Sequence, residues 1–337
     1  MFKKYIIILL SIPIILLTLS HSVFASELNF SVSAVIPDNQ VDKNQTYFDL
    51  HMEPNQEQTL EVTMRNDTKE AVIVEVDVNT AMTNNNGVID YSQTDFERDS
   101  TLEVDMVDLV DYEKEITVKA NSSVTYPIKV KMPAEEVSGI LLGGIHFNEK
   151  QEEKPQEEKA QIENKFAYVI GLKMEMNEPK VEPALELNEV KATQINYRNA
   201  VTANIQNTEP TIVSPLEIEA KIFKEKGKKV LFTEANDDMR MAPNSNFDYA
   251  INWDNKEFKP GKYRLELTAK NEDNEWEWEK FFTIENDEAK KLNKEAVELE
   301  KNYTMWYIIG GIILLLILLG FVYWLGTRKN RTKNESD

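Results

Sequence analysis

Three sets of side chains in this sequence could do chemistry. Histidine is the first: beyond residue 25 only His51 and His146 occur, in different segments. Neither has another histidine at metal-ligand spacing, no H-E-x-x-H is present, and no G-x-S-x-G elbow surrounds a serine. The chain has no cysteine, which removes thiol nucleophiles, disulfides and Cys-bound metals. Phosphate-cradling glycine loops and calcium loops are also missing, so no cofactor or metal is expected. Carboxylates are the second set. Among 58 acidic residues many pairs arise by coincidence, so a wall-active hydrolase using a carboxylate pair stays an alternative with no residues assigned. The third set is aromatic. Trp276 and Trp278 share one face of a strand, and Trp253 is nearby in sequence. Exposed, such rings stack on sugars or anchor a protein partner; buried, they pack a core. These three are the candidate binding residues of a chain read as non-enzymatic.

The elements that would carry them are strands. Gln58 to Met64 alternates with Leu60, Val62 and Met64 on one face, and Ala71 to Val78 does so with Val72, Val74, Val76 and Val78. The same period runs through 115–118, 124–132, 140–147 and 166–176, a pattern of short antiparallel strands. Gly143 and Gly144 mark a bulge or a close backbone approach. Seven further strands are expected between Ala184 and Ile284. Within them Pro260-Gly261-Lys262-Tyr263-Arg264-Leu265 has the layout of a tyrosine corner. The expected fold is all-β: two immunoglobulin-like sandwiches over 26–178 and 179–285. The acidic run 149–164 is either a hairpin loop inside the first sandwich, joining 140–147 to 166–176, or the boundary between domains.

A stripe of Ala289, Leu292, Ala296, Leu299 and Tyr303 predicts a stalk helix over 286–305, started by Asn286 or Asp287. Residues 306–325 carry no charge and are bordered by Trp306, Tyr307, Tyr323 and Trp324, with four cations following in 328–333. That pattern predicts a transmembrane helix, a cytoplasmic tail over 326–337 and an extracellular body. Residues 1–25 read as a secretory signal: Lys3 and Lys4, an apolar run, then Val23-Phe24-Ala25. The net charge of −20 becomes about −24 over 26–305 once leader and tail are set aside. Nucleic acid is excluded as a partner by that balance.

The layout resembles the WxL-interacting proteins of Gram-positive bacteria. The resemblance rests on Phe30 to Gln40 (F-S-V-S-A-V-I-P-D-N-Q), Tyr47-Phe48-Asp49-Leu50 and Pro54 to Asn66, followed by Phe166 to Leu172, Met241 to Ser245 and Pro260 to Tyr263. The Trp276–Trp278 strand through Ile284 and Leu292-Asn293 complete it. One departure is Asn55, where the family pattern has glycine; asparagine tolerates the left-handed turn conformation. The match at Phe166 places the family's domain boundary inside the acidic run. The resemblance implies an adhesion and assembly scaffold. Its first domain would bind peptidoglycan, its second host extracellular matrix proteins, and the whole would bind WxL-domain surface proteins.

Overall fold

The computed structural model describes residues 29–93, 96–150, 166–176, 180–300 and 304–331. The expected leader, most of the acidic run and the tail beyond Arg331 lie outside the described residues. Two compact units result. One comprises Met1–Glu186, Gln206–Ser214 and Arg240–Phe247, the other Leu187–Ile205, Pro215–Met239 and Asp248–Asp337.

In chain order the strands of the first region are β1 (Ser31–Val35), β2 (Phe48–His51), β3 (Glu57–Asn66), β4 (Val72–Thr80), β5 (Met82–Thr83) and β6 (Ile89–Asp90). After a 3-10 turn at Met106–Leu109 come β7 (Val110–Asp111), β8 (Glu115–Val118), β9 (Ser122–Lys131), β10 (Ile140–Glu149) and β11 (Ala167–Glu175). One sheet has the order β1-β3-β9-β7 and the other β2-β11-β10-β4-β8, while β5 and β6 form a small hairpin. Period-two alternation drives both sheets. Leu60, Val62 and Met64 of β3 and the four alternate valines of β4 enter one core with Tyr126, Ile128, Phe147 and Leu172. Residues 140–147 pair antiparallel with β11 across the acidic run, Gly144 opposite Gly171. Alternation did not predict that β11 also pairs parallel with β2, Leu172 opposite Phe48.

Strand β10 is buried on both faces. A Cβ on Gly143 would lie 2.5 Å from the Met106 side chain and 2.7 Å from the Asn79 carbonyl oxygen. On Gly144 it would lie 2.6 Å from Tyr91. The glycine pair therefore marks a close approach on each side of one strand. Asn55 has φ 59°, the left-handed turn conformation expected of it.

Non-contiguous segments of the first unit are joined by a buried carboxylate. Asp99 accepts from Gln206 Nε2 (2.8 Å), Asn246 Nδ2 (2.6 Å) and both the backbone N and Oγ1 of Thr101. Burial pushes its carboxyl up, but bonds from Asn246, Thr101 and Gln206 outweigh this and hold it below the usual carboxylate range.

Seven strands follow: β12 (Leu185–Ile195), β13 (Arg198–Asn207), β14 (Val213–Lys224), β15 (Val230–Met241), β16 (Ser245–Asn252), β17 (Gly261–Lys270) and β18 (Glu275–Ile284). They form the sheets β12-β13-β16 and β15-β14-β17-β18. The Tyr263 hydroxyl donates to the Lys259 carbonyl at 2.6 Å, and Leu265 two residues on is fully buried, as a tyrosine corner requires. Helix α1 (Asn286–Glu295) is shorter than the apolar stripe predicted, and Glu285, not Asn286 or Asp287, caps it in a reciprocal box with Glu288. Its Ala289 is buried. Asn293 accepts from the Phe258 N–H (2.8 Å) and Asn199 Nδ2 (3.0 Å). After Ala296 the chain turns back, with the Val297 N–H donating to the Tyr197 carbonyl and Glu298 paired with Arg198.

The expected membrane topology is corrected. Helix α2 spans Thr304–Arg331, but among the described residues no helix is long and apolar enough to cross a membrane. The transmembrane helix at 306–325, membrane attachment through it, and a cell-membrane localisation with extracellular body and cytoplasmic tail are therefore not upheld.

Two predictions follow from these contacts. Gly143→Ala should destabilise the first unit by about 1–3 kcal/mol in urea unfolding, because the Asn79 backbone cannot yield; Gly171→Ala, with Tyr47 at an ordinary 3.5 Å, should be nearly neutral. Asp99→Asn should cost about 2 kcal/mol at pH 7. A lowered folded pKa contributes stability above the unfolded value of ~3.9 that is lost as pH falls through the folded one. Unfolding between pH 5 and pH 2 (both ~) should therefore be less pH-dependent in the variant than in the wild type.

Candidate functional site

The outer face of the sheet β2-β11-β10-β4-β8 holds the most unusual group of side chains. Two cross-strand rows define it: Gly171, Gly144 and Asn79, then Val169, His146 and Asp77. The first row has no side chain at Gly171 or Gly144, and a tyrosine lies against each. Tyr91 lies on Gly144, and Tyr47 lies on Gly171. Both rings are half-buried.

Each tyrosine is held by its backbone. Gln40, itself buried, donates from Nε2 to the carbonyls of Tyr47 (2.9 Å) and Asp42 (3.2 Å), and accepts from the Asp49 N–H (3.1 Å). Asn79 Nδ2 donates to the Tyr91 carbonyl at 2.8 Å. Burial, then the neighbouring Tyr47, push the Tyr91 phenol up, so it stays a neutral donor.

His146 lies beside this pair, 7% exposed, with Nε2 lacking any hydrogen-bond partner. Burial pushes the imidazole pKa down; Asp77, Asp90 and a bond from the ring to the Tyr91 carbonyl pull the other way without overcoming it. The ring is thus neutral at pH 7, with Nε2 an acceptor.

Ion clusters border the strip. Toward β2, Lys173 bridges Asp49 (3.1 Å) and Glu175 (2.7 Å), all largely shielded. Toward β8, Lys150 pairs with Glu115 and, at 4.0 Å, with Glu75. Aromatic rings set among carboxylates and amides suit a ligand with apolar C–H faces and hydroxyl edges, as a saccharide has. Among the described residues no group of three or more His, Asp or Glu could hold a metal ion.

The tryptophans named from the sequence lie elsewhere. Trp253 is 2% exposed, stacked on Phe232 at 3.9 Å and packed on Phe258 and Tyr263, so its ring faces are enclosed. Trp276 and Trp278 are half-buried on the face of β18 they share with Lys280 and Phe282. The Lys280 ammonium reaches the Leu187 and Asn188 carbonyls of β12. The sequence reading weighed His146 only as a metal ligand or a triad member and gave Tyr47 and Tyr91 no binding role. The signal that could have found them is the Gly143-Gly144 pair, which announced that something lies against β10.

Comparison with known proteins agrees with the resemblance. The family model described as WxL Interacting Protein, peptidoglycan binding domain, matches residues 30–149, and that described as WxL Interacting Protein, host binding domain, matches residues 157–294. The chain belongs to the WxL-interacting protein family. Both matched domains are binding domains, and the hydrolase alternative has no support from them. No curated protein matches the sequence. Matches among solved structures include the CupB2 chaperone of Pseudomonas aeruginosa (11% identity, 68% of this chain and 96% of that one, TM-score 0.26). Others are the E. coli chaperone DraB (14%, 76% and 98%, 0.27) and the Acinetobacter baumannii CsuC-CsuE chaperone-tip adhesion subunit complex (11%, 74% and 97%, 0.32). Overlap at that level is too low to define a shared fold.

A buried neutral histidine has a pH signature. With its folded pKa below the unfolded ~6.5, the stability linked to His146 is present above that value and lost as pH falls below it. Melting of the first unit should therefore decline from pH ~6.5 downward, and His146→Gln should flatten that decline.

Proposed function

We propose that this protein is a non-catalytic binding scaffold. Its first domain holds peptidoglycan, its second holds a host matrix protein, and WxL-domain surface proteins assemble on it. The paired family matches carry the reading. In support of two immunoglobulin-like sandwiches stand the two-sheet core and the Tyr263 corner. Residues 26–178 and 179–285 are their proposed extents, with β11 counted in the first because it pairs there.

For peptidoglycan we assign the outer face around Tyr47, Tyr91 and His146. The two rings supply stacking surface, and Asp77 and Asn148 on the adjoining positions supply polar edges for hydroxyls and amides. In the second domain the half-buried Trp276 and Trp278 are the proposed contacts for a protein partner.

Sedimentation with purified peptidoglycan tests the assignment. The full chain should pellet with it. Tyr47→Ala combined with Tyr91→Ala should weaken binding about tenfold, the equivalent of ~1.4 kcal/mol, with the fold checked by circular dichroism. Unchanged binding by a folded double variant would move the site elsewhere.

A further inference from the structure

We infer that strand β11 is a non-covalent clasp. Residues 166–176, grouped by the family match with the host-binding domain, complete the core of the peptidoglycan-binding unit, so the two matched segments stay joined when the chain between them is cut. This rests on strand pairing and does not require that the unit bind peptidoglycan.

The pairing is extensive on both edges. One ladder runs from Ile140 opposite Glu175 to Asn148 opposite Ala167, and the other from Leu172 opposite Phe48 to Glu175 opposite His51. Beyond the second ladder the Met52 N–H donates to the Glu175 carbonyl at 2.9 Å. Ile170, Leu172, Met174 and Met176 are all buried in the first core. Outside that core, Lys173 ties β11 to Asp49 of β2.

Later segments of the host-binding match reinforce the attachment. The Ile140 N–H donates to the Pro210 carbonyl at 2.7 Å, and the Thr83 and Ser245 hydroxyls meet at 2.6 Å. Asp99 holds Gln206 and Asn246. A strand bonded on both edges cannot leave without opening the unit, so separation should be as slow as unfolding of that unit. Family boundaries taken alone predict the reverse, two beads on a string released by one cut.

The test places a site-specific protease sequence within 151–165 of the full chain. After complete cleavage, the two pieces should co-elute in native size-exclusion chromatography at the uncut position. Separate elution of two folded pieces would overturn the clasp. If the inserted site resists cutting, residues 26–155 and 156–337 made as two chains in one cell, with a tag on one, give the same readout.

Leu172→Asp should release the pieces, whereas Ala167→Glu, on the exposed side of the same strand, should not. All five tryptophans follow residue 252, so their emission reports the C-terminal piece. It should stay native in Leu172→Asp while hydrogen exchange shows the N-terminal piece losing protection. Retention of both pieces in Leu172→Asp would also refute the clasp. Added peptidoglycan separates the two ideas: if neither cut nor uncut chain sediments with it, the binding reading fails and the clasp stands.

Discussion

Strand β11 is hydrogen-bonded along both edges, antiparallel to β10 and parallel to β2, and its inward side chains close the first core. Much else depends on this position. A parallel neighbour cannot be reached by a tight turn, so β2 and β11 are far apart in the chain and the sheet stays open until β11 arrives. The Asp49–Lys173 contact lies across that parallel pair and favours the register in which both charges are matched. A slip of one residue would turn Leu172 and Met174 outward. Tyr91 can lie on β10 only because Gly144 has no side chain there, and the antiparallel β10–β11 ladder sets Gly171, under Tyr47, opposite it.

Charge is handled in two ways. Over most of the surface the excess of acids is left to solvent, and the exposed ion pairs, such as Lys131 with Glu57, add little. Inside, each charge has its own solution. Asp99 is surrounded by neutral amides and a hydroxyl, Lys173 lies between two carboxylates, and Lys280 caps the carbonyls of β12. Lys280 also shields the edge of a neighbouring sheet, where an open row of carbonyls would invite another strand.

Binding through such a molecule suits its construction. The proposed glycan face is built on interior strands whose spacing is set by core packing, and its tyrosines are held by backbone carbonyls. Those restraints leave the rings little to lose on meeting a ligand. The second unit places one of its tryptophans, Trp253, in the interior, where it joins Phe232, Phe258 and Tyr263.

The two-residue period of the strands, the all-β class, the tyrosine corner and the acidity of the body were determined by the sequence alone. These are local properties: alternation shows which side chains share a face, and a corner needs only neighbours in the chain. The asparagine at 55 also kept its turn for a local reason. Beyond that range the sequence had no signal. The stripe through Tyr303 looked helical, yet Ala296 has an extended backbone and Val297 bonds to Tyr197, because a tertiary partner outweighed propensity. The tryptophans drew attention by type, but exposure depends on what packs against a face, and that removed Trp253. Only the tertiary structure could bring Tyr47, Tyr91 and His146 together. They come from a loop, a hairpin end and a central strand, and a cross-strand register set Gly171 opposite Gly144, whose missing side chain leaves the room that Tyr91 fills.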